Sequence, residues 1–252
     1  MSSLDSLLVK NAQEGNLNEI KKLVEKGTDI NACDDFALLC SAERGHLDIV
    51  KFLVERGADI HAGSERALRN SAYNGHLDVV KYLVEKGANI HAWHEDALSW
   101  SAINGHLNIV KYLVEKGADI HAGSEFALRN SAYNGHLDIV KFFVEKGADI
   151  HANSEGALRW SARNGYLDVV KYLVEKGVDI HADNEYTLRK SAANGHFDIV
   201  KFLIVKRTSI PDDSYNDPII KKIIMKYKML LIQMNNDVYS IDAHIHEWLW
   251  KP

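Results

Sequence analysis

The chain repeats itself with a period of thirty residues. The segment 60–81, IHAGSERALRNSAYNGHLDVVK, returns at 120–141 as IHAGSEFALRNSAYNGHLDIVK, and a looser copy lies between the two. A fixed period of this length indicates a protein built by stacking one small structural unit many times. Each unit in such a stack packs only on its neighbours, so the chain can fold without a single large core. The repetition also favours partner binding over catalysis, because stacked repeats present long continuous surfaces.

The frame of each unit predicts two short helices. It has the form A-L-R-x-S-A-x-N-G-H-L-D-I-V-K-Y-L-V-E-K-G-A-D-I-H-A, in which Gly75 ends the first helix of one unit and Gly87 ends the second. Apolar residues of the second helix recur at the spacing of one buried helix face. One leucine of the first helix fixes the register of every unit: Leu8, Leu38, Leu68, Leu98, Leu128, Leu158 and Leu188.

Good N-cap residues precede most of the predicted first helices. They are Asp34, Ser64, Ser124, Ser154 and Asn184, with His94 as the exception. Glu65 follows Ser64, Arg69 lies four residues later, and this pair recurs in later units. Glutamate before arginine at this spacing stabilises a helix by about 0.3 kcal/mol. We therefore expect capped helices that begin with a glutamate–arginine pair.

The frame resembles the ankyrin repeat. Ala67–Ala72 takes the place of the family's T-P-L-H-x-A-A, Gly75–Val80 keeps its G-H-L-x-x-V, and Gly87–Ala92 keeps its turn. The resemblance implies an all-α solenoid of seven repeats over residues 1–210, the first being an N-terminal cap. The family's usual period is about 33, so the turns should be short. The Thr-Pro-Leu-His tetrapeptide is absent, and we expect the glutamate–arginine pair to replace its hydrogen bonds.

The particular variant, with I-H-A and A-L-R-x-S-A, looks most like the ankyrin proteins that giant DNA viruses of amoebae carry. This resemblance implies a non-catalytic protein-interaction module, a host protein as its partner, and the host cytoplasm as its location. Ankyrin proteins are also known targets of hydroxylation at a turn asparagine with a leucine eight residues before it. Asn31 with Leu23 fits that pattern, and His61 with Leu53 places a histidine in the same position.

The two ends of the chain depart from the frame. The first unit carries polar Asn16 and Asn18, as a terminal repeat with a solvated outer face requires. After Leu203 the frame decays, and Asp217-Pro218 is a strong helix start because proline is favoured at the first helical position. We expect residues 211–252 to form a capping helix, Pro218–Met234, packed on the seventh unit, followed by a tail.

Composition and charge argue against several classes of function. The formal net charge of −5 argues against nucleic acid as the partner, because neutralisation of phosphates carries that affinity. No apolar run approaches the roughly 20 residues of a membrane span, and the first residues lack the basic and apolar regions of a signal peptide. Cys33 and Cys40 are predicted to be reduced thiols. These observations predict a cytoplasmic protein without membrane association.

No catalytic, cofactor or metal site is predicted. The sequence has no G-x-S-x-G, phosphate loop, H-E-x-x-H or dinucleotide fingerprint. Histidines recur at two repeat positions, but helices about 8–10 Å apart cannot bring them within ~2 Å of one ion. These two ladders are therefore predicted to be structural. Near the end of the chain, Asp242, His244, His246 and Glu247 resemble a metal-binding cluster that lacks further ligands.

The informative residues are those that vary while the frame stays fixed. They lie at the turn and on one side of the first helix, which line the concave surface of an ankyrin-like stack. Aromatic residues cluster there in the central units: Tyr73, Trp93, Trp100, Phe126, Tyr133 and Trp160. Because exposed tryptophan and tyrosine dominate binding hot spots, these residues are the predicted partner-binding site. Trp100 and Trp160 could instead pack between neighbouring repeats.

Three other functions remain open at this point. The C-terminal tail could recruit a ubiquitin ligase, as in some viral ankyrin proteins, although residues 204–252 show no clear F-box pattern. The lysine-rich helix at 218–234 could dock on a membrane or an acidic partner, although its lysines do not lie on one clean face. The tail could also hold a metal or an enzymatic site, which the shortage of ligands disfavours.

Overall fold

The described part of the chain folds as a series of α-helices. The computed structural model describes residues 3–208 and Met225. Within these residues there are fourteen helices and no strands, which confirms the predicted all-α solenoid. The helices are α1 Ser3–Glu14, α2 Leu17–Glu25, α3 Ala32–Arg44, α4 Leu47–Glu55, α5 Ala62–Asn74, α6 Leu77–Glu85, α7 Ala92–Ile103, α8 Leu107–Glu115, α9 Ala122–Tyr133, α10 Leu137–Glu145, α11 Ala152–Asn164, α12 Leu167–Glu175, α13 Ala182–Ala193 and α14 Phe197–Thr208. The predicted capping helix Pro218–Met234, apart from Met225, and the cluster 242–247 lie outside the described residues.

The odd-numbered first helices and even-numbered second helices enclose one continuous apolar core. The seven register leucines are all buried. Behind them lies a row of buried serines at positions 71, 101, 131, 161 and 191. The Ser71 hydroxyl donates a hydrogen bond to the Leu68 carbonyl oxygen at 2.9 Å, so the small polar group is satisfied within its own helix. The serines are therefore packing residues.

From α4 to α12, each second helix begins after a histidine or tyrosine and is followed by a glycine two residues beyond its last residue. In α6, Val79, Val80 and Leu83 are buried, and they share one helix face. Gly87 follows with a φ of +99°. The Gly87 amide donates to the Val84 carbonyl and the Ala88 amide to the Leu83 carbonyl, which together form a Schellman motif.

The first helices pack against one another more extensively than the second helices do. Each of α3, α5, α7, α9 and α11 contacts the next first helix along much of its length, whereas successive second helices touch only locally. A stack whose layers approach more closely on one side bends toward that side. The first helices therefore form the more closely packed layer of the stack, the layer that the ankyrin resemblance predicts to be concave.

The histidine directly before a second helix forms a hydrogen bond to the preceding repeat. His76 Nε2 donates to the carbonyl oxygen of Glu43 at 2.9 Å, and its ring lies against Gly45. His46, His106, His136 and His196 make the same bond, each to a residue 33 positions earlier. A Cβ on Gly45 would lie 2.4 Å from His76 Nδ1, so the ring requires a glycine beneath it.

The sixth repeat has Tyr166 in place of this histidine, and a different side chain donates the hydrogen bond to the preceding repeat. The Tyr166 ring takes the same place, 2.4 Å from a Cβ built on Gly135. The Asn164 side-chain amide donates instead to the carbonyl oxygen of Tyr133 at 2.7 Å. The joint between repeats therefore needs a ring over the glycine and one donor to the carbonyl, and two residues can share these roles.

We expect Gly105→Ala to cost more stability than Gly117→Ala. Both glycines have positive φ, +82° and +99°, so alanine carries the left-handed penalty of about 1–2 kcal/mol at each site. A Cβ on Gly105 would also lie 2.8 Å from the His136 ring, whereas nothing lies within 4 Å at Gly117. Urea unfolding should show an additional loss of about 1 kcal/mol for Gly105→Ala. Equal losses, or a difference that persists in a His136→Ala background, would contradict the claim that the His136 ring requires a glycine at position 105.

Candidate functional site

A short left-handed turn precedes the helical part of each first helix from the third repeat onward. In α5 the residues Gly63, Ser64 and Glu65 have φ values of 59°, 55° and 64°. The predicted N-caps Ser64, Ser124 and Ser154 are therefore wrong, because they lie inside this turn with positive φ. The N-cap of each of these helices is the histidine three residues earlier, and for α3 it is Asn31 rather than Asp34. Likewise His181, not Asn184, is the N-cap of α13.

In repeats three to six, the glutamate that ends this turn is buried and pairs with a histidine, not with the predicted arginine. His121 Nδ1 donates to Glu125 Oε1 at 2.7 Å. The same bond joins the other four pairs at 2.6–2.7 Å: His61–Glu65, His91–Glu95, His151–Glu155 and His181–Glu185. Glu125 Oε1 also accepts the backbone amide of Asp149 in the next repeat at 3.2 Å. The histidine–glutamate pair therefore takes the role predicted for the glutamate–arginine pair.

The arginines predicted to pair with these glutamates instead donate hydrogen bonds to carbonyl oxygens of the turn. Arg129 donates from Nε to the Ser124 carbonyl at 2.9 Å and from Nη2 to the Gly123 carbonyl at 3.0 Å. Arg69, Arg159 and Arg189 each reach the carbonyl oxygen six residues earlier. The tight left-handed turn turns these carbonyls outward, where a long guanidinium can bond them.

The histidine–glutamate pairs should make stability depend on pH. The hydrogen bond to the neighbouring glutamate raises the pKa of His61, His121 and His151. A raised folded-state pKa contributes stability that is present below the unfolded value and is lost as the pH rises through the folded value. The melting temperature should therefore fall as the pH rises above about 6.5, the ordinary pKa of histidine. A variant with all three histidines replaced by glutamine should show a flatter profile, and an unchanged slope would contradict the coupling.

Two rows of side-chain contacts run across the exposed side of the first helices, which we call the first-helix face. Residues such as 66, 70 and 73 lie at i, i+4 and i+7 and so share one side of the helix. In the first row a residue contacts the one 27 positions later: Gln13–Cys40, Glu43–Asn70, Tyr73–Trp100 and Tyr133–Trp160. In the second row the pairs with the same spacing include Arg69–Asp96 and Arg159–Tyr186.

The predicted aromatic residues form two separate pairs in the first row. Tyr73 and Trp100 meet edge to face with ring centroids 5.7 Å apart, and Tyr133 and Trp160 do so at 5.9 Å. Tyr73 is 47% exposed and Tyr133 is 43% exposed. Trp100 is also exposed, whereas Trp160 is half-buried. Each tryptophan thus contacts a tyrosine of the preceding repeat, and each pair still presents aromatic surface to solvent.

The other two predicted site residues lie beside these pairs. Phe126 is exposed on α9, and its ring is 6.0 Å from the guanidinium carbon of Arg129. Trp93 is 62% exposed, the largest exposed fraction among the six predicted residues. The Arg69 guanidinium lies over its ring at 5.2 Å. The structure therefore gathers all six residues on the turns and first helices of repeats three to six.

Trp93 occupies a backbone conformation that few side chains tolerate. Its φ is 53°, and Gly63, Gly123 and Asn153 occupy the equivalent turn position. Glycine and asparagine are the residues that adopt this conformation most readily. A bulky aromatic residue at a strained, exposed position does not stabilise the turn, and functional constraint commonly explains such a residue.

Stability at position 93 should therefore follow backbone tolerance rather than apolar character. We expect Trp93→Asn to be the most stable variant, Trp93→Ala to be intermediate, and Trp93→Val to be the least stable. The span from asparagine to valine should be about 1–2 kcal/mol in urea unfolding. The reverse order, with valine best, would show that Trp93 is a packing residue.

The first-helix face also concentrates arginine. Seven of the nine arginines in the chain lie on first helices: Arg44, Arg66, Arg69, Arg129, Arg159, Arg163 and Arg189. The second helices α2 to α12 carry lysines and no arginine. Aromatic residues and arginine are enriched at protein interfaces, and lysine is depleted. The composition of the first-helix face is thus that of an interface, and the opposite face has that of a solvated surface.

The comparison with protein families agrees with this architecture. The family described as ankyrin repeats matches residues 7–94, 61–124, 99–184 and 128–216, which together span most of the chain. The chain belongs to the ankyrin repeat family. Ankyrin repeats are generally protein–protein interaction modules, and their fold is typically non-enzymatic. A search of curated proteins finds no match to this ankyrin chain.

Other predicted features can be placed within the described residues. Cys40 of the second ankyrin repeat is a buried free thiol, and burial raises its pKa. Among the residues that the structure describes, no group of three or more histidine, cysteine, aspartate or glutamate side chains could hold a metal. In the same residues, no helix is both long and apolar enough to cross a membrane.

Proposed function

We propose that this ankyrin protein binds a segment of a partner protein on its first-helix face. The observation that carries the proposal is the pair of exposed edge-to-face clusters, Tyr73–Trp100 and Tyr133–Trp160. Partly exposed aromatic rings held by a neighbouring repeat are preorganised, so a partner can bury them at little entropic cost. The clusters lie two repeats apart, roughly 16–20 Å. One helix or one extended segment can span both.

Photo-crosslinking tests this proposal residue by residue. Benzoylphenylalanine is introduced in place of Tyr133 in one protein and in place of Lys171 in another, since both side chains are exposed and they lie on opposite faces. The proposal expects the adducts recovered from cell lysate to come from position 133 only. Adducts from position 171 alone would place the partner on the second helices and overturn the proposal.

The variant of the repeat frame supports a narrower form of the same proposal. Its likeness to viral ankyrin proteins favours a host protein as partner, the host cytoplasm as location, and binding without catalysis. We further propose that residues 1–210 are the binding unit and that 211–252 form a cap and tail. Removing 211–252 should leave the crosslink from position 133 in place. Its loss, with the helical circular dichroism intact, would favour the alternative in which the tail recruits the effector.

A further inference from the structure

The two aromatic clusters differ in the charges that surround them. Beside Tyr73–Trp100, the Arg69 guanidinium is neutralised by Asp96 at 2.8 Å. Directly before Trp160 on α11, Arg159 likewise pairs with Asp183 of the next repeat. Within the described residues, Arg163, which lies over the Trp160 ring, and Arg129, which lies against Gly156 one helical turn away, have no such carboxylate partner. Two arginines at or near the second cluster therefore carry uncompensated positive charge.

Arg129 approaches Trp160 from the side of the preceding repeat. The residue 27 positions after Arg129 is Gly156. At the equivalent position relative to Arg69 lies Asp96, with which Arg69 forms an ion pair. A Cβ on Gly156 would lie 2.8 Å from Arg129 Cδ, so the arginine side chain crosses the surface of α11 one helical turn before Trp160. Its bonds go to the neutral carbonyls of Gly123 and Ser124, which leave its charge unpaired.

Arg163 approaches Trp160 from the other side. Its guanidinium carbon lies 5.3 Å from the Trp160 ring centroid, and the side chain is exposed. The position 27 residues later is the exposed Lys190. Arg163 and Lys190 thus occupy the two positions that hold polar or aromatic pairs in the first row of earlier repeats. We call Arg129, Arg163 and Lys190 the basic patch.

Resting on the proposed function, we infer that the partner segment is acidic, with carboxylates that pair with the basic patch and an apolar side chain that packs on Tyr133 and Trp160. Arginine binds carboxylates with two parallel hydrogen bonds, and placing such a group between like charges relieves their repulsion. The patch stands out against a chain whose net charge is −5. Charge complementarity at this face would therefore select acidic over basic partners.

The arrangement favours a protein segment over single-stranded nucleic acid. Bases bind such proteins by stacking on free aromatic faces. Here Tyr133 and Trp160 meet at an interplanar angle of 65°, and Arg163 covers one side of the Trp160 ring. A parallel platform for a base is thus missing at this cluster, whereas carboxylates need only the guanidinium edges.

Defined polymers test the inference on the full chain. The probes are a labelled random copolymer of glutamate and tyrosine, the matching copolymer of lysine and tyrosine, and an oligothymidylate, each titrated by fluorescence polarisation. The glutamate–tyrosine copolymer should bind, with an affinity that falls as salt is added. The variant Arg129→Gln/Arg163→Gln should weaken this binding at least about tenfold. The control Lys111→Gln/Lys171→Gln removes the same charge from the opposite face and should change it less than about twofold.

Three outcomes would overturn the inference: no binding of the acidic copolymer, equal effects of the two double variants, or preferred binding of the oligothymidylate or the lysine copolymer. Failure here is separable from failure of the proposed function. A partner that crosslinks at position 133 in both wild type and Arg129→Gln/Arg163→Gln would keep the first-helix face as the binding site and reject only its acidic character.

Discussion

Glu125→Ala is expected to lower the free energy of unfolding by about 2–3 kcal/mol. Glu125 is buried, and its Oε1 atom accepts bonds from His121 Nδ1 and from the Asp149 amide of the next repeat. Alanine removes the acceptor of both hydrogen bonds and leaves a part-buried backbone donor without its partner. Because each repeat is stabilised by its neighbours, weakening this link loosens two repeats at once. Urea unfolding followed by circular dichroism gives the measurement.

Two variants control for the loss of charge and of side-chain length. Glu115→Ala removes an exposed glutamate of α8 and should change stability by less than about 0.5 kcal/mol. Glu125→Gln keeps an oxygen acceptor and should fall between wild type and Glu125→Ala. If Glu125→Ala is as stable as Glu115→Ala, the histidine–glutamate ladder does not hold the turns.

Replacing Trp93, Phe126 and Tyr133 together with serine is expected to abolish capture of the partner while leaving the fold intact. A central aromatic hot spot contributes about 2 kcal/mol or more, which corresponds to roughly thirtyfold in affinity for one residue. All three side chains are exposed, so their loss should leave the helical circular dichroism near that of the wild type. Quantitative pull-down of the crosslinked partner provides the measurement.

The matched control for this triple variant lies on the second helices. Replacing Lys111, Lys141 and Lys171 with serine alters three exposed residues on the opposite face. This control should capture the partner as the wild type does. Unimpaired capture by the aromatic variant, with loss in the lysine variant, would move the binding site to the second helices.

The repeat period was sufficient to predict the core of this ankyrin protein. Val79, Val80 and Leu83 share the buried face of α6, and the glycines at the ends of α5 and α6 have left-handed backbones, as expected. Each of these features depends on a residue type that recurs at one position. The apolar residues determine which helix face is buried, because only one face is apolar. The glycines mark the helix ends, because glycine adopts these φ values at little energetic cost.

The turn before each first helix was predicted incorrectly because its residues are compatible with both a helix N-terminus and a left-handed turn. Ser64 followed by Glu65 is a typical helix start, yet here both residues lie in a left-handed turn. The signal that could have revealed the turn is the period itself, which is three residues shorter than the usual ankyrin repeat. A shorter connection must reverse direction more tightly, and the histidine four residues before Glu65 is the partner that this geometry brings into reach.

The pairing of the aromatic residues also needed the structure. The sequence predicts neighbours one period, or thirty residues, apart, whereas the observed contacts join residues 27 apart. Adjacent first helices are thus offset by about one helical turn, so that Tyr73 meets Trp100 rather than Ile103. The same offset accounts for Glu43–Asn70 and Tyr133–Trp160, and it turns an even stripe into two separate clusters.

Hydroxyl-radical footprinting of the complex with the crosslinked partner tests the central claim most directly, because it reports the exposure of individual side chains. The measurement compares oxidation rates of Tyr73, Trp93 and Tyr133 with those of Tyr112 and Tyr172 on the second helices, in the free and the bound protein. Binding on the first-helix face predicts protection of the first three and no change in the other two. Protection of Tyr112 and Tyr172, with Tyr73, Trp93 and Tyr133 still oxidised at the free rate, would contradict it.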